Sequence, residues 1–335
     1  RPLLRIRSWL GLLPAASLAL HVFAGVSLWL FLVVSPLFRA FDISGVMLAV
    51  VGDLIDNPQE RPGAMAVFMT GCIAVVGIVL PLAGFLPAPV VVAVAAAAAV
   101  AKLVYIFTIF PETLGSKARE PRLHDVLGSP FAALGVFCRN STNARVAALL
   151  VLTSLSSAGM STVAGPYFAG FLGITRGDFT KLLLVGLGVG GAGLAGVQPL
   201  VRRAGEVRAL QLCLIATIAF PLLCARCRTF RQLAFLIATQ FPVVLMLGPI
   251  ISGIKSGLVA KDEQGLVLGA LAAVGSLATA ASDALFGWSY REATEGGTVV
   301  TQSAMDPVFV GVALPAAAAW LLALSLPPKL PRPLG

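Results

Sequence analysis

The stretch PETLGSKAREPRLHDVLGSPFAALGVFCRNSTNAR, residues 111–145, is a long polar segment in a chain that is otherwise dominated by apolar runs. A helix needs about 20 apolar residues to cross the hydrocarbon core of a bilayer. Segments of that kind occur four times before the polar stretch and six times after it. They are residues 9–25, 28–55, 64–86, 88–110, 145–171, 179–201, 207–225, 231–253, 264–289 and 306–327. The sequence therefore predicts an all-α integral membrane protein with about ten transmembrane helices in a four-plus-six arrangement.

The composition supports a membrane-embedded chain and argues against several other classes. Of the 335 residues, 58% are hydrophobic and 12% are charged, with a mean hydropathy of +0.94. Soluble domains carry roughly 25% charged residues. The net charge of +9 is not arranged as a basic stripe interleaved with aromatic residues, which argues against nucleic-acid binding. The sequence has neither a G-x-x-x-x-G-K-[ST] loop nor a nucleophile elbow, so it predicts neither an ATP-driven pump nor an enzyme.

The cysteine and histidine residues do not form a metal-binding pattern. Cys224 and Cys227 make a lone C-x-x-C at a predicted helix end, and a zinc site would need two further ligands nearby. His21 lies alone in an apolar run, which favours a structural role for it. We therefore expect no catalytic residue, no cofactor and no metal site.

The basic residues predict the orientation of the chain in the membrane. If the loop at 111–144 is cytoplasmic, sixteen Lys and Arg residues fall on the cytoplasmic side and six on the opposite side. Cytoplasmic loops of membrane proteins carry an excess of Lys and Arg. The main disagreement is CARCRTFR, residues 224–231, which places three arginines outside. The bias predicts that the central loop and the C-terminal tail are cytoplasmic, in either the plasma membrane or an internal membrane.

Two charged residues lie inside an apolar segment. Arg39 and Asp42 are three residues apart in LVVSPLFRAFDISGVMLAVVGDLI, residues 32–55, so they share one face of a helix. A charged side chain at mid-membrane costs at least roughly 2.5–3.5 kcal/mol and is a functional candidate by default. We favour a role in a translocation path over a local ion pair that fixes packing. Asp283 is a second candidate, although its helix position also allows it to reach water at the outer end.

Polar and small residues mark three further helices. Ser154, Ser157 and Ser161 share one helical stripe, for which packing is the leading interpretation and a cavity for a polar or amphipathic solute the alternative. Gln240, in IATQFPVV, is a candidate for the lining of a cavity beside a bent helix. The run GLGVGGAGLAG, residues 186–196, has small residues at four-residue spacing. Such faces let helices approach closely, and static packing is favoured over a sliding contact.

Three stretches in the first half of the chain carry motifs of a known family. They are LFRAFDISG at 37–45, GDLIDNPQERPGAM at 52–65 and GIVLPLAGF at 77–85. They resemble the fourth-helix motif R-x-x-Q-G-x-G, the four–five loop motif A-D-I-x-x-x-x-E-R-A and the fifth-helix motif G-x-x-x-G-P-x-x-G-G of the major facilitator superfamily. The matching residues are Arg39, Gly45, Asp53, Glu60, Arg61, Gly77, Pro81 and Gly84. Asp42 stands at the glutamine, and Leu80 and Phe85 replace glycines.

Three later stretches continue the resemblance. They are IFPETL at 109–114, LVRRAGEVRAL at 200–210 and DEQGLVLGALAAVGSLATAASDALFG at 262–287. They resemble the exit of the sixth helix, the second copy of the gating motif and the eleventh helix. The matching gating residues are Arg203, Gly205 and Arg208. Arg202 stands where many members carry aspartate, and Ser282 with Asp283 replaces a glycine–proline pair. The nearest branch is that of drug/proton antiporters and tetracycline-resistance-like and hippocampus-abundant-transcript-like proteins.

The resemblance implies the major facilitator fold, in which two pseudo-symmetric six-helix bundles rock about a central solute site. The matching motifs begin at the family's third helix, so we expect helices one and two to be missing from this sequence, as in a fragment or a degenerate paralogue. The implied domains are an incomplete N-terminal bundle with helices three to six at 1–110, a cytoplasmic loop at 111–144, a six-helix C-terminal bundle at 145–327 and a cytoplasmic tail at 328–335.

The function implied by the resemblance is secondary active transport of a small organic solute by alternating access, coupled to protons. In the family the arginine at the position of Arg39 is linked to proton coupling, and Asp42 adds a carboxylate beside it. The expected partners are the bilayer, a solute and protons, and the expected state is a monomer. The alternative is a non-transporting membrane scaffold on the same fold, which the replaced glycines at Leu80, Phe85 and Ser282 favour.

Overall fold

The computed structural model describes residues 9–31, 33–34, 55, 60–109, 141–258, 264–294 and 301–327. The regular secondary structure of these residues is helical. The helices are α1 (Leu12–Ala24), α2 (Arg61–Phe85), α3 (Ala88–Thr108), α4 (Ser141–Leu172), α5 (Arg176–Ala195), α6 (Val197–Ala204), α7 (Glu206–Arg226), α8 (Phe230–Gly257), α9 (Gln264–Thr294) and α10 (Gln302–Leu324). The predicted helix at 28–55 and the central loop lie largely outside the described residues, and Arg39, Asp42 and Asp53 lie entirely outside them.

The described helices have the lengths and composition of a membrane protein. Within the described part of the chain, seven helices are long and apolar enough to cross a bilayer, namely α2 to α5, α7, α8 and α10. Helix α9 runs for 31 residues, and α1 is a shorter apolar helix of 13 residues. The prediction of an all-α, multi-pass integral membrane protein is confirmed.

Most long helices extend beyond the apolar segments that predicted them. Helix α4 begins at Ser141 instead of residue 145, and α8 continues to Gly257 instead of residue 253. An apolar segment marks only the lipid-facing part of a helix, whereas backbone hydrogen bonds continue into polar sequence until a capping residue ends them. Thr175 caps α5 in this way, because its side chain accepts a hydrogen bond from the backbone N–H of Asp178 at 3.2 Å.

The single helix predicted at 179–201 is two helices in the structure. Helix α5 ends at Ala195, Gly196 separates the two, and α6 begins at Val197. Pro199 explains the break. Its ring lacks an N–H donor and clashes with the carbonyl four residues earlier, which here is the last residue of α5.

The helices from α4 onward pack into one bundle. Helix α4 packs against α9 and α10, α7 packs against α8 and α10, and α5 packs against α8. Buried apolar side chains fill the bundle, with Leu214 and Ile250 in one cluster and Tyr167 and Phe309 in another. From the N-terminal half, α2 packs against α5, α6 and α8, while α1 and α3 pack against each other. Helix α2 therefore joins the N-terminal half to the C-terminal bundle.

The glycine run of α5 lies directly against α8. A Cβ atom at Gly190 would meet Leu245, and one at Gly193 would lie 2.5 Å from Pro242 Cβ and 3.0 Å from its Cα. A Cβ at Gly186 would touch Phe241 at 3.4 Å. At Gly193 only glycine allows this approach, because a larger side chain would meet the ring and backbone of Pro242 and push the two helices apart.

Side-chain hydroxyls also connect the helices of the bundle. Ser156 on α4 donates a 2.8 Å hydrogen bond to the Val312 carbonyl of α10. Ser282 on α9 is fully buried and donates a 2.6 Å hydrogen bond to the Leu155 carbonyl of α4. The serine that departs from the family's glycine–proline pair therefore fixes α9 against α4.

We expect Ser282→Ala to lower the stability of the folded bundle by about 0.6 kcal/mol, the average for hydrogen bonds between membrane helices. Ser289→Ala is the matched control, because Ser289 donates to the Leu285 carbonyl of its own helix. The melting temperature in detergent, followed by intrinsic fluorescence, measures both. Equal shifts for the two variants would show that the bond between α9 and α4 adds nothing to stability.

Candidate functional site

A partly open cavity of about 830 Å³ lies between the helices of the bundle. Its walls come mainly from α4 and α8, with contributions from α7 and α9 and with Met69 from α2. Sites for small organic ligands usually have volumes of about 300–1,000 Å³ and apolar walls with a few polar groups. The phenyl rings of Phe168, Phe220 and Phe241 and several hydroxyl groups give this cavity that character.

The serine stripe of α4 lies on the cavity wall. Residues three or four apart share one face of a helix, and Ser154, Ser157 and Ser161 all line the cavity. Ser161 donates a 2.8 Å hydrogen bond to the Ala158 carbonyl of its own helix. Ser154 and Ser157 have no hydrogen-bond partner among the described residues, so their hydroxyls are available to a solute. Both interpretations of the stripe therefore apply. Ser161 bonds to its own helix, and Ser154 and Ser157 present their hydroxyls to the cavity.

Asp283 faces the cavity from α9. Its Oδ1 accepts a 2.6 Å hydrogen bond from the hydroxyl of Thr162 on α4, which connects the two helices at this level. The sequence allowed this carboxylate simply to reach water. The structure places it in the cavity wall with one oxygen engaged by Thr162 and leaves the side chain exposed, so the expected access to water remains open to it.

Helix α8 contributes a residue that sequence reasoning did not single out. Lys255 lines the cavity together with Ser252, one turn earlier on the same face. The predicted helix ended at residue 253, which assigned Lys255 to a cytoplasmic loop, whereas α8 continues to Gly257. The three- and four-residue spacing from Gly248 through Ser252 to Lys255 would have placed this lysine on the cavity face. Gln240 is not part of the described lining, to which its neighbour Phe241 contributes instead.

The hydroxyl groups of the cavity fall into two sets. One set donates to backbone carbonyls and comprises Thr153, Ser156, Ser161 and Thr217. The other set has no hydrogen-bond partner among the described residues and comprises Ser154, Ser157, Ser252 and Thr279. Ser157 and Thr279 are exposed, so their hydroxyls can bind water or the polar groups of an amphipathic solute.

The candidate gating residues lie away from the cavity lining. Arg203 and Arg208 are exposed on either side of Gly205, whose φ of 83° is a left-handed conformation that favours glycine. Arg61 is buried at the start of α2, where its Nε donates a 3.1 Å hydrogen bond to the Ile55 carbonyl. Glu60 immediately precedes it as the N-cap of α2.

Helix α2 also carries the antiporter-like motif. A Cβ at Gly77 would lie 3.8 Å from Leu187 Cδ1 of α5, so this glycine faces the C-terminal bundle. Pro81 and Gly84 belong to α2 by their backbone, and their side-chain surroundings lie outside the described residues, as does Asp53 altogether. The roles of these motif residues stay predictions.

The two cysteines of the C-x-x-C stretch are buried thiols. Cys227 donates a 3.4 Å hydrogen bond to the Leu223 carbonyl, and burial raises the pKa of its thiol. A raised pKa disfavours the thiolate form that binds metals. Among the residues that the structure describes, no group of three or more His, Cys, Asp or Glu side chains could hold a metal ion.

The chain is similar in structure to two solved membrane transporters. It superimposes on the human organic anion transporter MFSD10 (TETRAN) with a TM-score of 0.77 and 18% identity, covering 96% of this chain and 76% of that one. It superimposes on the Escherichia coli fucose:proton symporter FucP with a TM-score of 0.64 and 14% identity, covering 96% of this chain and 83% of that one. No sequence-family model and no curated protein matches the chain. Both transporters belong to the major facilitator superfamily, and this chain has the major facilitator fold.

Proposed function

We propose that the protein is a secondary active transporter that moves a small organic solute across a membrane by alternating access. The observation that carries this proposal is the cavity of about 830 Å³ inside a bundle of membrane-spanning helices. Its apolar walls carry unused hydroxyls and two ionisable side chains, Asp283 and Lys255. A structural scaffold has no need for such a cavity, whereas a carrier needs a site of this size and mixed polarity near the centre of the membrane.

The similar structures support the class of function and leave the solute open. One is named as an organic anion transporter and the other as a fucose:proton symporter. Two proteins of one fold that are named for such different solutes illustrate that function depends on the site and not on the fold. The fold therefore favours transport, and the cavity residues decide what is carried.

Alternating access requires two bodies that rock about the solute site. We propose that residues 1–110 and 145–327 form these bodies, with 111–144 and 328–335 on the cytoplasmic side according to the excess of Lys and Arg there. Under this proposal the contacts of α2 with α5 and α8 form the interface between the two bodies, on which the rocking motion would act. A monomer holds the whole site under this proposal.

The carrier can be tested in proteoliposomes with three naphthalene probes of similar size. Naphthalenesulfonate is a permanent anion, naphthalenesulfonamide is neutral, and naphthylmethyl-trimethylammonium is a permanent cation. We expect saturable accumulation of at least one probe, accompanied by proton movement that a trapped pH-sensitive dye reports. Absence of saturable uptake and of proton movement for all three would refute transport and favour the scaffold.

Proton coupling is the finer part of the proposal, and Asp283 is its accessible candidate, beside the Arg39–Asp42 pair. We expect Asp283→Asn to abolish solute-driven proton movement, because an amide cannot exchange a proton as a carboxylate does. The other ionisable side chain of the described lining is Lys255 on α8, while α2, α4 and α7 contribute none.

Asp178→Asn is the matched control for this prediction. Asp178 lies at the start of α5, where it accepts hydrogen bonds from Thr175 and Lys181 and does not line the cavity. Proton movement should persist in this variant. If proton movement also persisted in Asp283→Asn, the coupling role of Asp283 would be wrong and the Arg39–Asp42 pair would remain.

A further inference from the structure

We infer that the Lys255 end of the cavity binds an anionic group of the carried solute, so that the solute is an amphipathic organic anion. This inference rests on the proposed transport function and names its substrate class. Lys255 is partly buried, lines the cavity and forms no ion pair with any described residue. A partly buried cation in a largely apolar cavity is unfavourable unless an anion or hydrogen-bond acceptors lie close to it. A bound anion would supply that counter-charge.

The other charge of the cavity is already partly satisfied and lies on a different helix. Asp283 accepts a hydrogen bond of 2.6 Å from Thr162, whereas Lys255 has no comparable partner among the described residues. In the described lining the cavity therefore offers a positive charge without an ion-pair partner and a hydrogen-bonded negative charge. Among the charge classes of solute, an anion gains most from this arrangement, since its binding pairs the charged side chain that has no partner there.

The neighbours of Lys255 suit an oxyanion in particular. The hydroxyl of Ser252 lies one helical turn away on the same face and has no described partner, although the residue is 4% exposed. An ammonium group and a hydroxyl can both donate to the oxygens of one carboxylate, sulfonate or phosphate. On the same helix, Phe241 lines the cavity 14 residues before Lys255, which is about 21 Å along α8. The apolar body of the solute has room on that side.

Lys255 lies in the last turn of α8, so a purely structural role is the alternative to anion binding. The carboxyl end of a helix carries a partial negative charge that a lysine in the last turn offsets. In that case the side chain would stabilise α8 and would not distinguish between solutes of different charge. Binding selectivity therefore separates the two roles, whereas stability alone does not.

The test is thermal stabilisation of the full chain in detergent by the same three naphthalene probes. We expect naphthalenesulfonate to raise the melting temperature in a saturable manner, and the neutral sulfonamide and the quaternary ammonium to bind at least about tenfold more weakly, as expected for loss of a charged hydrogen bond. Lys255→Gln should abolish this preference and Lys255→Arg should retain it. Lys181→Gln is the control for net charge, because Lys181 is 70% exposed and pairs with Asp178.

A second variant guards against a folding defect in Lys255→Gln. Ser252→Ala keeps the charge, removes the neighbouring hydroxyl, and should weaken sulfonate binding without reversing the preference. Equal binding of all three probes to the wild type, binding of none of them, or an anion preference that survives in Lys255→Gln would each overturn the inference.

Binding of the probes in detergent tests the anion site, and their uptake into proteoliposomes tests transport. Either proposal can be refuted while the other stands. Saturable uptake without a preference for the sulfonate would leave the transporter intact and remove the anion site. Selective binding of the sulfonate that disappears in Lys255→Gln, without uptake of any probe, would keep the anion site and remove transport. The two assays on the same preparation therefore distinguish the two proposals.

Discussion

Gly193→Leu should destabilise the folded protein by about 3 kcal/mol or more, at or beyond the upper end of typical overpacking effects. A Cβ at this position would lie 2.5 Å from Pro242 Cβ and 3.0 Å from Pro242 Cα. The nearest atoms belong to a rigid ring and to the backbone, so rotation of a side chain cannot relieve the clash. Helices α5 and α8 would have to separate, which would disturb the cavity wall that α8 forms.

Gly188→Leu is the matched control on the same helix. No atom of the other described residues lies within 4 Å of a Cβ at Gly188, so the same change should be tolerated there. Both variants can be compared by size-exclusion chromatography and by melting temperature in detergent. A similar melting temperature for the two would mean that the α5–α8 contact is not close-packed in solution. Both variants replace a glycine of α5 with leucine, so a difference between them reports helix packing and not helix propensity.

Ser157→Trp should reduce solute uptake to background while leaving the melting temperature nearly unchanged. Ser157 is exposed to the cavity from α4 and has no described hydrogen-bond partner, so an indole has room to enter without displacing core side chains. The larger side chain would occupy space between α4 and α8 that a solute needs. Uptake of whichever naphthalene probe the wild type accumulates is the measurement.

Leu277→Trp tests whether any added indole impairs transport. Leu277 lies on α9, is 70% exposed and does not line the cavity, so we expect normal uptake. Normal uptake by the Ser157 variant would contradict the assignment of this cavity as the solute path. Loss of uptake in both variants would point to a general effect of tryptophan on the bundle and would equally remove support for the assignment.

The helical, membrane-spanning class was predictable because it depends on local composition. A run of about 20 apolar residues is sufficient to mark a membrane-spanning helix wherever it packs. The motif order then indicated the major facilitator fold, which the structural similarity confirms. Helix ends were less predictable, and the break at Pro199 shows why. A single proline within an apolar run changes the backbone without changing hydropathy.

Residues that share a helix face could be recognised from spacing, but the surroundings of that face could not. Ser154 and Ser161 are equivalent by periodicity, yet only Ser161 donates to its own helix backbone. The sequence showed Ser282 only as a departure from the family's motif. In the structure its hydroxyl donates a hydrogen bond from α9 to the Leu155 carbonyl of α4. These differences depend on which carbonyl or void lies opposite, and that is a property of helix packing.

Sequence alone determined that this protein lies in a membrane and which polar residues lie within apolar segments, and its division at the central loop stays a prediction. Tertiary structure decided which of those residues meet. Asp283 on α9 accepts a hydrogen bond from Thr162 on α4. Lys255 lines the cavity because α8 continues past its apolar segment. The physical reason is that transfer into lipid depends on each segment separately, whereas a binding site depends on the relative rotation and depth of several helices.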